Sequence, residues 1–278
     1  MNLSSLTINQ AAPQIFRRPV LSVGLDDELP LAATFMAVGP QIYVDGLVVL
    51  DSFGKIAGRI GNQYIMYHIL DAGGKWLNTK VSELLSLEDA ISLEGSSYLS
   101  EAFDLFESSH FAFVPVTLGG KIAATLSLRD LLPLVFRSNV NTPVRDVGSP
   151  IITIPSKSSL GDVFRTITDR QIRNVGITFE GGGKGDISII NDRKILEFLS
   201  SHEGRQALAG HQEDGIRPLD KIPLETLSLL QPKKISFETA ISSAAPLLED
   251  VSAPCILSDG LIVTPWDLVI KGLRRTSV

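Results

Sequence analysis

Apolar residues recur along this chain at helical spacing, in four separate blocks. Leu99, Ala102, Phe103 and Phe106 fall at i, i+3, i+4 and i+7, and so do Leu160, Val163, Phe164 and Ile167. Phe237, Ala240, Ile241 and Ala244 give another set, and Leu29, Ala32, Ala33 and Met36 a weaker one. Behind each block the pattern changes to that of strands. GLVVLDSFGKIAGRI, FVPVTLGGKIAATL, NVGITFEGGGKGDISII and APCILSDGLIV each read as two β-rich runs joined by a glycine-containing turn. A second helix follows every hairpin, opening at NQYIMYHIL, SLRDLLPLV, NDRKILEFL and TPWDLVIKG. With a first strand in stretches such as DAISLE and SPIITIP, the predicted unit is strand, helix, strand, strand, helix, present four times.

Aligning the second helices makes Tyr64, Asp130, Lys194 and Asp267 equivalent, at separations of 66, 64 and 73 residues. The longer last interval contains Ser200 to Pro218, a polar stretch that reads as a linker with room for a short helix. Another break, SNVNTP, lies at Ser138 to Pro143. The expected division is therefore residues 1–140, with repeats at about 16–70 and 81–136, and residues 141–278, with repeats at about 144–200 and 219–275.

The junction between hairpin and second helix carries the candidate chemistry. In LIVTPWDLV, Thr264 and Asp267 interrupt an apolar stretch. One reading is a helix start, with Thr264 as cap, Pro265 at the first position and Asp267 bonding back to the cap. The other is a ligand corner, because a hydroxyl and a carboxylate stand beside free backbone N–H groups that favour anions. Gly61 and Asn191, at the Thr264 position of the first and third units, are acceptable caps without the hydroxyl and acid pair. Capping alone does not require Asp130 or Asp267.

Paired units of about sixty residues with an apolar PVV-like strand, a glycine hairpin and a G-x-x-[ST]-x-x-D corner resemble cystathionine β-synthase (CBS) domains. FVPVTLGGKIAATLSLRDLL and APCILSDGLIVTPWDLV carry the resemblance best, and the first unit is the most worn. It implies an α/β (α+β) fold of four β-α-β-β-α CBS repeats, arranged as two pseudo-twofold pairs with clefts between repeats. Adenosine derivatives occupy such clefts in the family. The resemblance assigns Ser127 with Asp130, and Thr264 with Asp267, to phosphate and ribose contacts; a carboxylate can accept from both ribose hydroxyls. It places Phe113 and Val114, and their counterparts Ser252 and Ala253, beside the base. Gly61 with Tyr64, and Asn191 with Lys194, depart from the motif, so one site per pair is expected. The opening glycine is also replaced, by Ala124, Ser188 and Leu261. Arg129, Arg170 and Arg173 are candidates for a phosphate, Arg173 foremost.

Composition narrows the function further. The chain has 278 residues, 44% hydrophobic, enough for about two domains with sizeable cores. A net charge of −6 without clustered Lys/Arg argues against nucleic acid. No run approaches the ~18 apolar residues of a membrane span, and no export signal precedes the first unit. Cys255 is the only cysteine and sits in the apolar PCIL, which fits a reducing cytoplasmic setting. His68, His110, His202 and His211 lack metal-ligand spacing, so no metal is expected. EGGGKGD, Glu180 to Asp186, lies between strands and reads as a hairpin tip instead of a phosphate loop. No nucleophile elbow or acid pair suggests an enzyme. The expectation is a stand-alone regulatory protein that needs no cofactor for chemistry and binds AMP, ADP or ATP as a regulatory ligand. It would signal to an unknown protein partner, and a homodimer is compatible with the resemblance. The rival is an oligomerisation scaffold whose clefts are closed by side chains.

Overall fold

A computed structural model describes residues 3–38, 45–86, 90–181, 186–211 and 214–275. Among the described residues, thirteen strands form four small sheets, one for each repeat. Repeat 1 contains β1 (Ser22–Gly24), β2 (Leu47–Leu50) and β3 (Ile56–Ile60), and repeat 2 contains β4 (Leu93–Glu94), β5 (Phe113–Leu118) and β6 (Lys121–Ser127). After β7 (Ser149–Pro150), repeat 3 contains β8 (Thr153–Pro155), β9 (Asn174–Thr178) and β10 (Ile187–Asn191). Repeat 4 contains β11 (Lys233–Lys234), β12 (Ile256–Ser258) and β13 (Leu261–Val263), with β7 added at its edge.

Every sheet follows one plan. The first strand runs parallel to the second, across a helical connection, and the second and third form an antiparallel hairpin. In repeat 4, Asp259 and Gly260 take φ of 46° and 84°, a pair of left-handed residues suited to so tight a turn. The tip of the repeat 3 hairpin within EGGGKGD lies partly outside the described residues. The fold is thus mixed α/β, built from four β-α-β-β-α units.

The crossover helices are Leu29–Ala37, Leu99–Ser109, Leu160–Asp169 and Ile241–Ala244, the last continued by a 3-10 turn, Ala245–Leu248. The repeat 4 helix therefore begins one turn later than its apolar spacing suggested. Phe237 is 40% exposed in the preceding turn and faces Arg145, whereas Ile241, Ala244, Ala245 and Leu248 are all buried at the true i, i+3, i+4, i+7 positions. Pro246 explains the tightened geometry, since its ring removes a donor from the helix.

Each crossover helix is started by a segment from elsewhere in the chain. The amide of its first residue donates to a distant carbonyl: Leu29 to Thr79 at 2.9 Å, Leu99 to Leu6 at 2.8 Å, Leu160 to Ile222 at 2.9 Å and Ile241 to Thr142 at 2.8 Å. The four acceptors satisfy donors that a helix start leaves open. The segment ahead of repeat 1 thereby completes repeat 2, and the segment ahead of repeat 2 completes repeat 1. Repeats 3 and 4 exchange their leading segments in the same way.

Two large cores lie between helices. One joins repeat 1 to repeat 3, with Leu29, Met36, Ile65 and Trp76 packed among Leu160, Phe164, Ile195 and Leu199. The other joins repeat 2 to repeat 4, with Leu99, Phe106 and Val135 among Ile241, Leu248 and Val269. Sheets meet across the other direction. Ile189 of repeat 3 packs with Cys255 and Leu257 of repeat 4, and Arg59 of repeat 1 donates to the Phe113 carbonyl of repeat 2 at 3.1 Å. The polar stretch after repeat 3 forms a helix, His202–Ala209, that packs on the Gly73–Asn78 turn of repeat 1. Among the described residues, no helix is long and apolar enough to cross a membrane.

Candidate functional site

Strand β6 ends at Ser127 and passes into a 3-10 turn, Leu128–Leu131, that leads the helix Leu132–Arg137. Asp130 reaches back over this turn, and its Oδ2 accepts the Ser127 amide at 2.8 Å. Its Oδ1 accepts from Arg18 Nη2 at 2.7 Å, while Gln14 donates to its carbonyl at 3.0 Å. Burial raises the Asp130 pKa; Arg18 and the Ser127 amide counteract this incompletely, and neighbouring Asp45 adds to the rise. The carboxylate stands at the floor of a cleft of about 420 Å³ lined by Gln14, Arg17, Arg18, Arg129, Pro133 and Glu249.

The fourth-repeat corner is arranged differently. Both the amide and the hydroxyl of Thr264 donate to Asp267 Oδ2, at 2.8 and 2.7 Å. Lys271, one turn further on, holds Oδ1 at 2.6 Å and also donates to Ser149. The helix runs on from here as a π-helix, Asp267–Arg274. Asp267 is buried and engaged entirely by its own helix start.

Residues of repeats 1, 2 and 3 meet around Asp45, and Arg129 extends the cluster into repeat 4. The Asp45 carboxylate lies 3.6 Å from Arg193 and 4.0 Å from Arg129. Burial pushes the Asp45 pKa up, but Arg129, Arg193 and Arg173, with the Ser127 hydroxyl, outweigh it and hold the group below the ordinary aspartate value. Arg173 pairs with Asp192 at 2.6 Å, and Asp192 Oδ1 accepts the Arg193 amide at 2.7 Å. Arg129 reaches into repeat 4, donating to the carbonyls of Leu248, Asp250 at 3.1 Å and Ala253 at 3.2 Å. Three guanidinium groups thus face two carboxylates. Asn62, buried at the start of the helix Asn62–Ala72, finds no hydrogen-bond partner among the described residues for either end of its amide.

The anticipated base-contact residues are placed unevenly. Phe113 is buried against Gly46, where an added Cβ would come within 1.7 Å of its ring, and meets Phe111 edge-on at 5.9 Å. Arg59 lies 4.2 Å above the Phe111 ring, and Tyr64 packs on the same ring at 4.9 Å. Val114 points into the apolar core shared by repeats 2 and 4. Ser252 is exposed, its amide bonded to Asp250, while the half-buried Ala253 supplies its carbonyl to Arg129. Arg170 is exposed at the end of its helix.

Four further residues define the site beyond those anticipated: Arg18, Asp45, Arg59 and Arg193. Arg193 was within reach of the repeat alignment, since it stands two residues after Asn191 as Arg129 stands two after Ser127. Asp45 was hidden by the wear of repeat 1; counting back across the hairpins from Gly61 and Asn191 makes it the counterpart of Arg173. Arg18 and Arg59 carry no such positional signal.

Among solved structures, protein MJ1225 from Methanocaldococcus jannaschii, described as a proposed archaeal homologue of g-AMPK, superimposes with a TM-score of 0.72. The match covers 91% of this chain and 95% of that one at 16% identity. The chain has the fold of a four-repeat CBS protein. An uncharacterised conserved protein from Pyrococcus horikoshii shares this CBS-like layout with a TM-score of 0.52, at 12% identity over 94% of this chain and 96% of that one. A CBS-domain protein from Agrobacterium tumefaciens aligns with 42% of the chain and 84% of its own length, at 22% identity and a TM-score of 0.37. No family model and no curated protein matches the sequence. At such identities the likeness to the first two proteins is one of fold, and the chemistry rests on this chain's own residues.

Proposed function

We propose that this four-repeat CBS protein is a regulatory subunit or adaptor that binds an adenine nucleotide, AMP, ADP or ATP, in the cleft over Asp130 and passes that state to a protein partner. One observation carries the reading: a buried carboxylate, held at a strand-to-helix corner, opens onto a cleft that also presents Arg17, Arg18 and Arg129. The carboxylate suits the two ribose hydroxyls and the arginines suit phosphate oxygens. The fold shared with a proposed archaeal homologue of g-AMPK fits a regulatory role. Arg129 links the cleft to Asp45 and to repeat 4, so a phosphate drawing on Arg129 would favour one packing of the repeats over another.

Thr264 and Asp267 form the second candidate corner, where a ligand must first release Lys271. The first cleft is therefore the stronger site. Calorimetric titration of AMP and ATP tests the proposal. Asp130→Ala should weaken binding by roughly 10–100-fold, the loss of hydrogen bonds to a charged group, and Asp267→Ala should change it far less. Equal affinity in the wild type and Asp130→Ala would remove the assignment. The scaffold reading draws on Arg59, Phe111 and Tyr64 filling the face between repeats 1 and 2. It predicts that no adenosyl compound raises the melting temperature.

A further inference from the structure

Asp130 belongs to repeat 2, yet the cation that neutralises it comes from the segment ahead of repeat 1. That segment is anchored by Ile8, Ala11, Ala12 and Ile15, all buried in the core of repeats 2 and 4. Beyond Ile15 the chain rises along the cleft wall and places Arg18 on Asp130 Oδ1. The Asp130 side chain is only 2% exposed, whereas Arg18 keeps 27% of its surface in solvent, at the mouth of the cleft. Arg17 and Arg129 line the same space. A ribose seated on Asp130 needs the oxygen that Arg18 occupies.

We propose that Arg18 is a displaceable counter-ion that makes the Asp130 cleft select phosphorylated nucleosides over free ones. This rests on the nucleotide reading above. A free nucleoside offers Asp130 two neutral hydroxyls in place of a guanidinium, on a buried carboxylate beside the charge of Asp45, and supplies no anion to Arg18. That exchange is unfavourable, because it breaks the Arg18–Asp130 ion pair and gives the buried carboxylate only neutral donors in return. A nucleotide brings its own anion into the same cleft. Arg18 then moves from carboxylate to phosphate, joining Arg17 and Arg129, and the ion pair is exchanged instead of lost. Selection arises from the cost of opening the cleft, and the base plays no part in it.

Binding of adenosine and AMP should be measured by calorimetry on the wild type, Arg18→Gln and Arg18→Lys, each checked for an intact melting transition. Arg18→Gln should tighten adenosine by about tenfold, leave AMP equal or weaker, and so reduce the AMP-to-adenosine preference at least about tenfold. Arg18→Lys should retain most of the preference. An unchanged ratio, or equal shifts for both ligands, would overturn the selective role while leaving the nucleotide site in place. If neither ligand binds the wild type or Arg18→Gln, the nucleotide site and this inference fall together.

Discussion

Asp45 is the residue on which the most opposing charge converges. Its depressed pKa means that its ionised form is favoured by folding, so its contribution is present above the ordinary aspartate value of 3.8 and is lost as pH falls through the lower folded value. Asp45→Asn should reduce unfolding free energy at neutral pH by about 3–5 kcal/mol, the cost of removing one partner of a buried ion pair. It should also flatten the acid limb of stability against pH. Urea denaturation across the acid range checks both outcomes. Cys255 gives a second residue-scale expectation. Burial pushes its thiol up to about 12, so iodoacetamide should leave the native protein unmodified at pH 8 and label it fully above the denaturation midpoint. The Ser127–Asp130 and Thr264–Asp267 pairs stood out in the sequence because they break apolar runs at matching places. Their counter-ions did not, because Arg18 and Lys271 reach them through three-dimensional proximity or a helical turn, and neither interrupts a pattern.

At the scale of elements, periodicity carried most of the information. Leu99 to Phe106 and Leu160 to Ile167 are buried faces of the helices their spacing implied. In repeat 4 the same rule slipped by one turn, since Phe237 mimics a helix position while the chain is still in a turn stabilised by the Thr142 contact to Ile241. Spacing alone cannot distinguish these registers, because a long-range hydrogen bond sets the start. The helix His202–Ala209 shows another limit. Its docking depends on Gly74, where a Cβ would fall 2.2 Å from the Leu208 carbonyl oxygen. Gly74→Ala should therefore cost about 1–3 kcal/mol by overpacking. Faster amide exchange in residues 202–209 than in the core helices would locate the damage there.

For the whole molecule, the arrangement of cores decides what can stand alone. The helical faces of repeats 1 and 2 are covered by repeats 3 and 4, respectively. A fragment ending at residue 140 would expose both faces at once. It should self-associate or aggregate, and light scattering coupled to size exclusion would report this; a stable monomer would show that the helical interfaces contribute little. This pairing was not legible in the sequence. All four repeats present similar apolar helix faces, and periodicity reveals that a face is buried without revealing its neighbour. The four-fold repetition itself was legible, because one hairpin-and-helix pattern recurs in each copy.

The exchanged leading segments also bear on how the protein is made. Repeat 1 lacks the acceptor for its first helix until Thr79 has been synthesised, and repeat 3 lacks its own until Ile222 has. Repeats 2 and 4 use carbonyls already supplied by Leu6 and Thr142. On the ribosome, the nascent chain therefore carries the first helix of each odd-numbered unit without its acceptor past that unit's own end.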